Sequence, residues 1–457
     1  MGETATRTWE TDLYGQVPLY IHYLDDGNIL VDTTVAGLYG QGAPRLGLDP
    51  EAVVAVLTGV SGPATSLFRG ISRVPPGVRI RVANGQLTSE RRKGPEDEVL
   101  EQNARPSELR TAVTAAAKTA FGQGAAIALA GGLDSGLLAL LLQEESPPAY
   151  TVRMAGPQSD AGEVQRASQV AKRAGLAHTI VEFEPASLIE HFVETVRRCE
   201  APILDLRPIA KFRLARRVRA DGLRRLISGA GADAVFFGRP SLMIADDGGH
   251  PPFVLRYRRD CRLVQAQVLH DEWVVRGRTL RGLPQPAISA RTLALHTMIP
   301  SDDMPPEIRP AASVGLSMAL PYLDPNVVRV ACRIPIDQLV VTRGKQAVGK
   351  VVLRQEFSDI VPQALRTLVR AAPMFPYGMG TRRLRHRWAS ALDQWLSPER
   401  IAPLRVVKYD HIGTLLRKYQ GAHVGVEWLP FFERTLLRLA SLTVLAELAE
   451  GRSPDPT

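Results

Sequence analysis

The sequence predicts an α/β fold: a doubly wound, mostly parallel sheet with a helical C-terminal part and a small N-terminal β-rich module. Three observations predict it. Between residues 125 and 227, short apolar runs alternate with helical stretches. Two of those runs end in glycine-rich turns, AGGLDS at 130–135 and SGAGAD at 228–233. The first ninety residues carry hairpin signals instead.

Residues 17–35 read as a β-hairpin whose turn is Asp25-Asp26-Gly27-Asn28. Residues 49–58 are helical, with Asp49-Pro50 as cap and first turn. Pro75-Pro76-Gly77 turns into the alternating strand 78–82, followed by a second turn at Asn84-Gly85. The module is assigned to residues 1–90. Residues 91–107, charged and broken by prolines, form a linker. The main domain is placed at 108–450, and 451–457 is a disordered tail.

In the main domain, residues 108–120 form an alanine-rich helix and 125–129 a buried parallel strand. A helix starts at Gly136, and a second strand covers 149–154. Helix 160–175, strand 178–183 and a strand at Leu226-Ile227 continue the alternation. Beyond about residue 260 the chain reads as mostly helical, with apolar periodicity through 436–449.

Composition bounds the function. The 457 residues suffice for two or three domains, and 45% hydrophobic with 23% charged content is ordinary for a soluble protein. The formal charge of +9 either serves solubility or draws anions such as ATP, pyrophosphate or an acidic peptide. No recognition motif points to nucleic acid. No apolar run reaches the roughly 18–20 residues of a membrane span. Cys199, Cys261 and Cys332 are too scattered for a metal pattern or disulfide framework, which fits a reducing, cytoplasmic setting.

The glycine turns carry the chemistry. In AAIALAGGLDSG, glycines let the backbone bend and aim N–H groups at an anion, and the following helix adds its N-terminal field. Ser135 offers a hydroxyl. Asp134 would repel phosphate unless a cation intervenes, which argues for Mg²⁺. In LISGAGADAVFFG, a second strand ends in a similar turn with Asp233. If the two strands are neighbours, Asp134 and Asp233 can share one Mg²⁺. Taken singly, GGLDS is compatible with a plain strand–helix turn and Asp233 with a helix N-terminal acid. A GxxxxGK[ST] loop is absent.

Four segments in order resemble the asparagine synthetase-like family of N-type ATP pyrophosphatases. LAGGLDSG resembles its SGGxDS pyrophosphate loop, and LISGAGADAVFFG its LSGxGxDExFxG segment. LPYLDPNVVRVACRIP at 320–335 and GKVVLRQEFSDIVPQALRTLVR at 349–370 resemble the two that follow. LFRGISRVPPGVRIRV at 67–82 is similar to the end of the family's glutaminase-like domain. The resemblance implies ATP and Mg²⁺ as cofactors. It implies nucleotide contacts from Leu129, Ala130, Gly131, Gly132, Asp134, Ser135, Arg153, Met154, Ser228, Gly229 and Gly231, with Asp134 and Asp233 holding the metal.

Departures from the family pattern narrow the expected reaction. Gly2 stands where the family's glutaminases have cysteine, so glutamine is not the expected nitrogen donor. Ala130 replaces the leading serine of SGGxDS. Ala230 and Ser317 replace the pair that handles the amine's proton, and Ala372 replaces a lysine that stabilises transition-state charge. Lys350 and Arg370 are the expected catalytic cations, ahead of Lys345, Arg382, Arg383 and Lys408. Lys350 and Arg354 are placed at i and i+4 on one helix face.

Glutaminase-deficient relatives, such as β-lactam synthetase and the lasso-peptide cyclases, adenylate a carboxylate and let an amine attack it. The expected function is therefore ATP-dependent amide formation with release of AMP and pyrophosphate. The expected substrate is a peptide or small carboxylate that cyclises, with a precursor-peptide-processing protein as a possible partner. A non-catalytic binding subunit and an ammonia-dependent synthetase are the alternatives.

Overall fold

The computed structural model describes residues 6–58, 64, 66–95, 103–122, 124–155, 161–184, 186–203, 205–238, 295, 299, 304–343, 346–368, 382–407, 409–420 and 429–452. Its centre is a five-stranded sheet, ordered Ser317–Ala319, Arg225–Ile227, Ala126–Ala128, Ala149–Met154 and His178–Phe183. All four pairings are parallel. The first of these five strands along the chain, Ala126–Ala128, lies in the middle. Its successors add on one side, and the strands after residue 220 add on the other. The order reverses between Ala126–Ala128 and Arg225–Ile227, which makes that pair the switch point where an open α/β sheet binds its ligands.

Apolar cores cover both faces. One face buries Ile127, Leu129, Leu137, Leu138 and Val328; the other buries Val152, Phe192, Ile209 and Leu226. Ala126–Ala128 is short and apolar because helices shield it on both sides. The helix Pro106–Phe121 starts with proline at its first turn, and Glu108 reaches back to the Arg105 N–H at 3.0 Å.

One element differs from the sequence expectation. The helix Leu133–Leu141 begins three residues before Gly136, so Asp134 and Ser135 stand on its first turn. Gly132 is the extended cap residue, and an acid in the first turn suits the helix field. Among the described residues the region after 260 is mostly helical, as expected, with three short strands added: the edge strand Ser317–Ala319 and the hairpin Val341–Arg343 with Gln346–Val348. Three-residue strands are too short for a period-2 signal to register. Residues 260–294 lie outside the described residues.

The N-terminal part forms two three-stranded antiparallel sheets, as the hairpin signals imply. Gly27 takes φ +82° in the first turn, and Asn84 and Gly85 take φ 53° and 72° in the second. The expected linker is described only at its ends. The module shares a core with the last helix: Val35, Leu38, Val53 and Leu57 cluster with Leu436, Leu439 and Ala446 of Leu429–Ala449. Arg452 still donates its N–H to Glu447, and the tail beyond it lies outside the described residues. No helix among the described residues is long and apolar enough to cross a membrane.

Candidate active site

The first glycine turn has one obligatory glycine. Gly131 takes φ +65°, and a Cβ there would collide with the Glu163 carbonyl. Gly132 has ordinary extended dihedrals and open space around it. The Gly131 carbonyl accepts from Arg166 Nε at 3.1 Å, which ties the turn to the helix Ala161–Arg173. Leu129 is buried, and its carbonyl accepts from the Thr151 hydroxyl. The Ala130 N–H donates to Ser135 Oγ at 3.1 Å. That bond uses the Ala130 N–H within the turn itself. The Ser135 hydroxyl hydrogen stays available to donate.

The second turn leans on the first. A Cβ on Gly229 would come within 2.9 Å of Asp134 Cβ and the Ser135 nitrogen. Gly231, at φ +93°, makes room for Leu323. Ser228 hydrogen-bonds through its N–H to the Ala319 carbonyl, which sets it at the carboxyl edge of the sheet. The 320–335 segment closes the group, because Tyr322 donates its hydroxyl to the Asp134 carbonyl at 2.9 Å.

At the centre, Lys350 Nζ lies 2.6 Å from Asp134 Oδ2 and 2.5 Å from Asp233 Oδ1. The sequence brings these three residues from 216 positions apart onto one point. Lys350 is not on the helix face it was assigned. It is the cap residue before Val351–Glu356, in the left-handed region at φ 59°, so it does not share a face with Arg354. Its N–H is fixed by the Phe236 carbonyl at 2.9 Å. Gly349 and Gly238 make that approach possible: a Cβ on the first would strike the Phe237 carbonyl, and one on the second would strike Asp233 and Lys350. Arg354 instead donates to the Gly349, Leu365 and Arg366 carbonyls and braces the backbone.

The charges are coupled. Burial pulls the Lys350 ammonium down, but Asp134 and Asp233 outweigh it and hold the group above the usual lysine range. Burial pushes the Asp134 carboxyl up, Lys350 opposes it, and Asp233 reinforces it. Asp134 Oδ1 is buried with no hydrogen-bond partner among the described residues. An unpartnered carboxylate oxygen beside a second carboxylate fits a hard divalent cation. Among the described residues no group of three or more His, Cys, Asp or Glu side chains gathers, so the protein would supply two ligands and phosphate or water the rest.

The other expected contacts sit farther out. Arg153 is the penultimate residue of the strand Ala149–Met154 and pairs with Glu182 on the next strand, and Met154 is buried in the core. Arg370, Ala372, Lys345 and Lys408, with the side chains of Arg382 and Arg383, lie outside the described residues. Ser317 begins its strand at the amino edge of the sheet and donates to the Arg224 carbonyl. Two residues escaped the sequence reading. Glu307 accepts from Ser228 Oγ at 2.7 Å and pairs with Lys211. No motif marks either one, because they come from separate helices that meet only in the fold.

A model of the asparagine synthase family matches residues 107–444. No curated protein matches the sequence. Among solved structures, NMN synthetase from Francisella tularensis is similar at 16% identity, with a TM-score of 0.23. The alignment covers 30% of this chain and 59% of that protein.

Proposed function

This chain belongs to the asparagine synthase family, and from that premise we propose that it forms amide bonds by activating a carboxylate with ATP. The observation that carries the reading is the meeting of Asp134, Asp233 and Lys350 at the sheet's switch point. Two carboxylates and one ammonium there suit a metal-bound polyphosphate better than any neutral ligand.

In this reading the Gly131–Ser135 turn and its helix N-terminus hold the β- and γ-phosphates. Asp134 and Asp233 hold Mg²⁺, which neutralises phosphate charge when bound. Lys350 then turns from the two acids to the phosphate oxygens. The substrate carboxylate attacks the α-phosphorus, forming an acyl-adenylate while pyrophosphate leaves. An amine attacks the acyl carbon, and AMP leaves. An amine carried by the same molecule makes the second step intramolecular, which raises its effective concentration greatly. A peptide or amino-acid-derived substrate that closes into a lactam fits these requirements.

The test is pyrophosphate release from ATP and Mg²⁺ with a panel of short peptides, each bearing a side-chain carboxylate and a free α-amine. Release that depends on one peptide supports the reading. ATP binding without release for any carboxylate, or with ammonium salts added, favours a non-catalytic nucleotide-binding subunit.

A further inference from the structure

We propose that Glu307 is a further catalytic residue, the acceptor of the proton lost by the attacking amine; the inference rests on the amide-forming reading above. Glu307 stands in the first turn of the helix Met304–Ala312, which packs over the sheet. Its side chain is only 14% exposed. A carboxylate this withdrawn from water requires partners, and it has two. Lys211, on the helix Arg207–Ala220, supplies the counter-charge. Ser228 Oγ supplies a hydrogen bond at 2.7 Å.

The Ser228 contact ties Glu307 to the site. Ser228 opens the second glycine turn, at the carboxyl edge of the strand that flanks the switch point. Its oxygen already accepts from the Ala230 N–H at 3.2 Å, so its own hydrogen is committed to Glu307. The carboxylate is thereby aimed beside the turn, one residue from Gly229, which touches Asp134. A carboxylate oxygen has capacity beyond one bond to Ser228 or Lys211, so Glu307 can accept another proton donor. Neither Ala230, which has no ionisable group, nor Ser317, at the opposite edge, can take that part.

The step balances. The amine nitrogen bonds to the acyl carbon. The bond from that carbon to the phosphate oxygen breaks, and AMP leaves with the electron pair. One N–H proton passes to a Glu307 carboxylate oxygen and from there to solvent. Lys211 holds the carboxylate in place.

Glu307→Gln tests this, because the amide oxygen can still accept from Ser228. Three rates are compared with wild type, using the same peptide panel: carboxylate-dependent ATP–pyrophosphate exchange, hydroxamate formation with added hydroxylamine, and amide product from the peptide's own amine. Hydroxylamine is unprotonated near neutral pH and needs little help from a base. The expected result is near wild-type exchange and hydroxamate formation, with amide product down about 10²-fold or more. Undiminished amide product overturns the proposal. So does parallel loss of all three rates, which would put Glu307 in adenylation or in folding. No exchange by the wild-type protein sinks the amide-forming reading itself, and this inference with it.

Discussion

Lys350 Nζ sits 2.6 Å from Asp134 Oδ2 and 2.5 Å from Asp233 Oδ1, between the two acids to which the proposed function gives a divalent cation. Removing the ammonium leaves two carboxylates facing each other. Lys350→Met is expected to cost about 2–3 kcal/mol, below the usual figure for a broken buried pair because the Asp233 side chain is 38% exposed. Mg²⁺ alone should restore the missing positive charge between the two acids. Thermal melts without nucleotide therefore should show a larger Mg²⁺ stabilisation for Lys350→Met than for wild type. Equal shifts would mean that the ammonium and the cation do not share the two acids.

The same lysine gives an alkaline signature. Its folded pKa is raised, since the two carboxylates outweigh the effect of burial. A raised value means that its contribution is complete below the unfolded lysine value of about 10.4 and fades as pH climbs through the higher folded value. Denaturant midpoints followed into that range should fall for wild type more steeply than for Lys350→Met. Parallel curves would assign the alkaline loss to other groups.

Adjacent glycines should respond in opposite ways. Gly131→Ala places a Cβ at φ +65° against the Glu163 carbonyl, which is backbone and cannot swing aside. Strain alone costs about 1–2 kcal/mol, and the collision adds to it. Gly132→Ala meets nothing within 4 Å and keeps ordinary dihedrals. Thermal unfolding and ATP binding should both suffer in the first variant, while the fold survives in the second. Comparable damage in the two would mean that the turn is set by something other than this close approach.

These contrasts mark what was legible in the sequence. The strands Ala149–Met154 and His178–Phe183 stand where apolar patterning puts them, because six residues are enough to show it. The adjacency of the strands before Asp134 and Asp233 is left open by the sequence, since strand order is not a local property. Lys350 was legible as a candidate, but its cap position was not. Its left-handed backbone depends on Gly349 lying against the Phe237 carbonyl, a contact between residues far apart in the chain. Glu307 had no signal at all. Its meaning comes from Ser228 and Lys211, which reach it across 79 and 96 positions.

Glu200 ties the N-terminal module to the main domain alongside their shared core and further hydrogen bonds, and its share of that attachment is testable. Glu200 follows the helix Ser187–Cys199 in a left-handed conformation. Its two oxygens accept the Val35 and Ala36 N–H groups at 2.8 and 2.7 Å, capping the helix Val35–Gly40 from outside. Burial pushes its carboxyl up, while Arg309 and the two N–H groups oppose that. Arg309 also binds the Cys199 and Glu200 carbonyls and the Tyr20 hydroxyl, so both sides of the junction share it. Glu200→Ala removes two charge-assisted hydrogen bonds, each worth about 1.5–3 kcal/mol. Hydrogen exchange should then quicken at residues 35–40 and through the N-terminal sheets, ahead of the central sheet. Exchange that rises uniformly across the chain would instead make the two parts one cooperative unit, as their shared core with Leu429–Ala449 also allows.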